Sequence, residues 1–324
     1  MMISMITEPI EVVAGSTNQM RGWRNKSSGS HFYFCFLAAI SCLAFRVPIR
    51  NLIAFSLTHD YGSHIFLIAP LSIFLVYLKR HEIFSNFHLQ LNRKTLLTSS
   101  GLFLLAVILA LLSKYQPWSA EKLSLEVLSL VVLWFSAFVL CYGRESFIKA
   151  RFPLLFLLLS VPLPGFVIDK IIFALQAGSS DVAYGLLRML SVPVLKEGFT
   201  LRLPMVSLEV AKECSGIRSS TALLVTVLVA AELGLRSPWR KVLLVIAIIP
   251  ILVIKNGARI VTIYLLAAYL NPAFLHGWLH TSGGVVFYLL GLIALIPVGA
   301  WLRKGESKHI RLPALHELAP VTSG

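Results

Sequence analysis

Eight stretches of this chain are apolar enough, and nearly all long enough, to cross a lipid bilayer, and that pattern constrains the fold before any motif is read. They fall at roughly 32–48, 64–79, 96–113, 127–142, 152–168, 216–234, 242–269 and 283–302, the shorter ones matched to a thin or distorted bilayer. Inside hydrocarbon every backbone N–H and C=O must be satisfied within the protein, so runs of this length are helices rather than open strands. The expectation is an all-α polytopic membrane protein with about eight transmembrane helices. Composition agrees: 57% of the 324 residues are hydrophobic and 14% charged, with a mean hydropathy of +0.79, which excludes a soluble domain.

A formal net charge of +14 would suggest nucleic acid in a soluble protein. Here the basic residues fall in alternate loops instead, so nucleic acid is not the expected partner and membrane lipid is. Seventeen Lys and Arg, among them Arg21, Arg24, Lys79, Arg80, Arg144, Arg240 and Arg303, lie in the two tails and the even-numbered connections. Nine, among them Arg46, Lys122, Lys170, Lys196 and Lys212, lie in the odd-numbered ones. The positive-inside rule then puts both termini in the cytoplasm, with spans six and eight starting at the outer face. Residues 1–31 lack the apolar core of a signal peptide and read as a retained cytoplasmic tail, 32–302 as one eight-span membrane domain, and 303–324 as a short cytoplasmic tail.

The connection over about 169–213 is too long and too apolar for a simple turn. Asp169 to Leu190 reads as an interfacial or re-entrant helix interrupted around Gly178-Ser-Ser-Asp181. Val194 to Leu203 alternates around a Lys-Glu-Gly turn and predicts a short hairpin, whose edge suits strand addition by an extended peptide.

Just after it comes the most polar knot in the apolar half of the chain, Glu209-Val-Ala-Lys-Glu-Cys-Ser-Gly-Ile-Arg-Ser-Ser-Thr221. Cys35, Cys42 and Cys141 sit inside apolar runs and read as small hydrophobes. Cys214 differs: it stands at the water boundary, opens a helix whose dipole favours a thiolate, and has Lys212 and Arg218 close by in sequence. A structural thiol and a nucleophile both remain open for it on these grounds. Arg259 interrupts the aliphatic run from Val242 to Leu270, with Lys255 and Asn256 one turn before it. It serves either as a donor to an oxyanion or carboxylate, or as a bridge to Glu209 or Glu213. His280 precedes Thr-Ser-Gly-Gly at the start of span eight and is either a proton-transfer group or a wetted interfacial histidine. His276, four residues earlier, does not make a metal site with it, and no metal or cofactor is expected. A nucleophile, an oxyanion donor and an acid/base are together what acyl transfer through a thioester requires.

Glu-Cys-Ser-Gly-Ile-Arg-Ser-Ser around Cys214, Asn256-Gly-Ala-Arg-Ile260 and His280-Thr-Ser-Gly-Gly284 resemble, in order and spacing, three signature blocks of the exosortase/archaeosortase family. Asp60-Tyr-Gly-Ser-His-Ile-Phe-Leu is similar to its early Tyr-Ser-His-Gly-Phe-Leu block, with a Gly inserted before Ser63 and Ile65 where the pattern has Gly. The resemblance implies a membrane-embedded cysteine transpeptidase of the bacterial exosortase branch, in the inner membrane with its active site on the periplasmic face. It implies Cys214 as nucleophile, Arg259 as the essential arginine and His280 as the third member; Ser215, Arg218, Asn256 and His64 become candidates for positioning substrate. The implied partners are exported proteins carrying a C-terminal short motif of the Pro-Glu-Pro type, then a transmembrane helix, then a basic cluster. Two other readings stay open: an intramembrane cysteine hydrolase without transfer, and a non-enzymatic component of polysaccharide export or transport.

Overall fold

The computed structural model describes residues 29–85, 92–117, 119–204, 206–275 and 284–309, and the chain divides into two compact units. Among the described residues six helical stretches are long and apolar enough to cross a membrane, or up to eight spans result if each of two bent pairs counts as one. The all-α polytopic architecture therefore stands, with the first and fifth spans built differently from the expectation.

The first unit holds residues up to Thr58 and Ile65–Pro164. Helices α1 (Gly29–Ala44) and α2 (Arg46–Thr58) meet at 75°, so the apolar run at 32–48 is not one straight span. After α3 (Ile65–Leu78) and the short α4 (Arg80–Ile83), α5 (Arg93–Lys114) and α6 (Ala120–Lys149) form an antiparallel hairpin. Asn92 caps α5 by accepting from the Thr95 N–H at 2.8 Å. Hydrophobicity cannot drive two helices together in lipid, and their seam accordingly carries small and hydroxylic residues. Ser136 donates to the Ser99 carbonyl at 2.8 Å, and Ser129 to the Ala106 carbonyl at 2.8 Å. Gly143, at φ +82°, kinks α6 and carries it past the end of its apolar run. The core of this unit packs Ile83, Val131, Phe135, Phe138, Tyr142 and Leu154.

The apolar run at 152–168, read as span five, is broken at 161–164. Helix α7 (Arg151–Phe156) runs into a 3-10 turn ending at Ser160, and Pro162 and Pro164, which cannot donate to a helix, separate it from α8 (Gly165–Met189).

The second unit comprises His59–His64 and everything from Gly165 onward. Its elements are α8, three short strands, α9 (Ile217–Gly234), α10 (Pro238–Ile246), α11 (Ile248–Tyr269) and α12 (Gly284–His309). α8 is continuous through Gly178-Ser-Ser-Asp181, contrary to the interruption expected there. These residues instead form the seam with α11: a β-carbon at Gly178 would lie 2.9 Å from Val253 Cγ1, and one at Gly257 2.6 Å from Val182 Cγ1. Ser179 and Ser180 are fully buried beside them.

The hairpin is present as β1 (Leu195–Glu197) and β2 (Thr200–Arg202), turning through Gly198 at φ +60°, and a third antiparallel strand, β3 (Ser207–Glu209), follows in the order β1-β2-β3. Leu201 of β2 is fully buried against Leu187 of α8 and Tyr264 of α11, which ties the sheet to that helix pair. A second core joins α9 to α12 through Leu223, Val227, Leu244, Ile248, Leu295 and Leu302.

Candidate active site

β3 runs directly into the polar knot. Gln176 of α8 donates to the Val210 carbonyl at 2.7 Å, and the Val210 N–H donates to the Phe199 carbonyl at 3.0 Å, so the entry to the knot is fixed from two sides. Lys212–Ser215 then forms a 3-10 turn in which Cys214 is the third residue. Gly216 follows at φ +74°, ψ +17°, a left-handed conformation costly for any residue with a β-carbon, and α9 starts at Ile217. The turn thus delivers Cys214 just before a helix N-terminus, where the first backbone N–H groups lack intrahelical acceptors and the local potential is positive.

Helix α11 grips this turn with two adjacent residues. Asn256 lies so close to Gly216 that a β-carbon there would stand 2.7 Å from its Oδ1. Its Nδ2 donates to Ser179 Oγ of α8 at 3.0 Å, and it is only 2% exposed. Lys255, about 100° around the same helix, donates from Nζ to Ser219 Oγ at 2.6 Å. Ser219 and Ser220 each donate to the Gly216 carbonyl, at 3.0 and 2.8 Å. Arg259 stands one turn beyond Lys255, half-buried with its Nε buried. Ser215 is fully buried, and its Oγ has no hydrogen-bond partner among the described residues.

The segment His59–His64 belongs to this unit although it is far away in sequence. Tyr61 packs against Ile168, Ile172 and Ile217, and Asp60 pairs with Arg218 at 3.5 Å. His64 is half-buried with its Nδ1 buried. Arg218, nearest to Cys214 in sequence among the site candidates that carry charge, is therefore an exposed partner of Asp60, and Lys212 is likewise paired with Asp169 at 3.0 Å. Of the two acids expected as partners of Arg259, Glu209 makes no ion pair with it, and the side chain of Glu213 lies outside the described residues. His280 and His276 lie outside the described residues.

The structure thus brings the Cys214 turn, Ser215, Arg218, Asn256 and the helix carrying Arg259 into one unit, with the segment bearing His64 packed there too. Lys255, taken from the sequence only as a neighbour of Arg259, and Asp60 are the residues whose contacts the sequence did not show. The signal for Lys255 was present, as a lysine within an aliphatic run; that for Asp60 was not, because its partner is distant in sequence. Among the described residues no group of three metal-ligating side chains occurs.

A family described as transmembrane exosortase matches residues 49–297, which includes the turn, α11 and the segment around Asp60. The chain belongs to the transmembrane exosortase family. Exosortases are generally cysteine transpeptidases acting on sorting-signal substrates. No curated protein and no solved structure matches this exosortase.

Proposed function

We propose that this exosortase is a cysteine transpeptidase that cleaves the C-terminal sorting signal of exported proteins, of the Pro-Glu-Pro type, through a thioester on Cys214. The observation that carries the reading is the contact of Asn256 with Gly216, which fixes the Cys214 turn to the helix bearing Arg259. The substrate's tail helix enters from the lipid, and its motif lies extended across the turn. The Cys214 thiolate attacks the scissile carbonyl carbon, and Arg259 donates to the oxygen as it becomes anionic. Ser215, whose buried hydroxyl has no other partner among the described residues, serves in this reading as a second donor to the same group.

Collapse of the tetrahedral intermediate breaks the C–N bond, and the departing amine takes a proton from His280. An acceptor amine then attacks the thioester and gives its proton to His280, which restores the imidazolium, while the C–S bond breaks and the sulfur leaves as the thiolate. Asn256, Arg218 and His64 position the substrate or the turn. The excess of basic residues in the tails and even-numbered connections supports an inner-membrane orientation with both termini cytoplasmic and this site on the periplasmic face.

The test is co-expression with a tail-signal protein and mass analysis of its C-terminus. Wild type yields a shortened product conjugated to an amine, while Cys214→Ala, expressed to the same level, yields none. A product ending in a free acid would make the enzyme a hydrolase, and maturation by Cys214→Ala would sink the reading, leaving an export or transport role.

A further inference from the structure

Lys255 is 6% exposed, lies on a helix that crosses the membrane, and has as its hydrogen-bond partner a neutral hydroxyl, Ser219 Oγ at 2.6 Å. No carboxylate among the described side chains, which do not include that of Glu213, comes within salt-bridge distance of it. A cation buried in this way is expensive and ordinarily marks a functional counter-ion. The other cations at the turn are already neutralised in part and exposed, Lys212 by Asp169 and Arg218 by Asp60.

The position of Lys255 is also built rather than incidental. Gly291 of α12 leaves room for its stem, since a β-carbon there would lie 3.2 Å from Lys255 Cδ. Ser219, which holds its Nζ, also holds the Gly216 carbonyl two residues after Cys214. The ammonium is therefore anchored to the turn itself.

We propose that Lys255 is a positioning residue that supplies the fixed positive charge favouring the anionic form of Cys214, delivered through Ser219 to the N-terminal turn of α9. The inference rests on the reading of Cys214 as the nucleophile. Among the described side chains, the other charged or titratable groups around the turn are Arg259 one turn along α11, Lys212, Arg218 and Asp60 at the turn, Asp169 on α8, and Tyr61 with His64; Glu213 adjoins Cys214 in sequence, and its side chain lies outside the described residues. Arg259 adds to the positive field, and Asp169 and Asp60 are engaged by Lys212 and Arg218.

The experiment is alkylation of Cys214 by iodoacetamide in the full-length protein in lipid nanodiscs, followed by mass spectrometry of the Cys214 peptide from pH 5 to pH 10. Wild type should react with a midpoint below that of an ordinary thiol, about 8.5. Lys255→Gln should move the midpoint upward by about one pH unit or more, so that the rate at pH 7 falls about tenfold. Lys255→Arg should keep most of the wild-type profile. Ser219→Ala, which unhooks the ammonium without removing it, should shift the profile in the same direction and decides the matter if Lys255→Gln does not fold. An unshifted profile in a folded Lys255→Gln or Ser219→Ala protein overturns the proposal, as does an ordinary midpoint in wild type. Failure of the nucleophile reading shows separately, as substrate maturation by Cys214→Ala.

Discussion

At the scale of single residues, the candidate site depends on one backbone conformation. Gly216 sits at φ +74° with Asn256 Oδ1 where a β-carbon would go, so Gly216→Ala meets two penalties together. The left-handed conformation alone costs an L-residue about 1–2 kcal/mol. The 2.7 Å approach adds a displacement of Asn256, whose Nδ2 donates to Ser179 Oγ. Gly216→Ala should therefore lower the thermal transition in detergent and reduce processing of a tail-signal substrate more than Asn256→Ala, which keeps the backbone relaxed. Equal effects of the two would mean that only the loss of the Asn256 side chain matters. Cys214 and Arg259 stand out as candidates in the sequence because each is chemically out of place where it stands. The partners of Arg218 and Lys255 were not legible there. Proximity along the chain favoured Arg218, but its side chain pairs with Asp60, more than 150 positions away, whereas Lys255 reaches the turn from a separate helix.

At the scale of elements, the seam between α8 and α11 explains why Gly178-Ser-Ser-Asp181 misled. In water such a cluster signals a break, but in lipid small residues are what let two helices approach, and the same letters serve both ends. The geometry separates two glycines that look alike in sequence. The nearest atoms to a β-carbon at Gly178 belong to the side chain of Val253, with Cγ1 at 2.9 Å and Cγ2 at 3.1 Å. One at Gly257 meets Val182 Cβ at 2.8 Å and the Ala183 backbone nitrogen at 3.2 Å. Gly178→Ala should destabilise the protein by about 1–3 kcal/mol through overpacking, and Val253→Ala in the same chain should recover much of that. Gly257→Ala should resist rescue by Val182→Ala, since Cβ and backbone remain in the way. A double-mutant cycle on thermal stability checks both. The hairpin was readable from its alternation and Lys-Glu-Gly turn, whereas β3 escaped notice because Ser207-Leu-Glu209 is too short to show a period.

For the whole molecule, length and hydrophobicity identified where helices lie but not where they bend. The first span divides at residue 45 and the fifth at Pro162 and Pro164, so a count of apolar runs and a count of straight helices differ by design of the chain. Charge adds orientation, which hydrophobicity alone does not carry. In the orientation proposed from the distribution of Lys and Arg, β1–β2 and the Cys214 turn are extracytoplasmic and the end of α12 is cytoplasmic. In a Cys214→Ala background, a cysteine at the exposed Glu197 should be labelled in intact cells by a membrane-impermeant maleimide, and one at the exposed Arg303 only after permeabilisation. The reverse pattern would place the site in the cytoplasm, where a glutathione-buffered compartment keeps any exposed thiol reduced without special provision. That outcome would also remove the route by which exported substrates reach it, since a sorting signal processed after export must meet its nucleophile on the far side of the membrane.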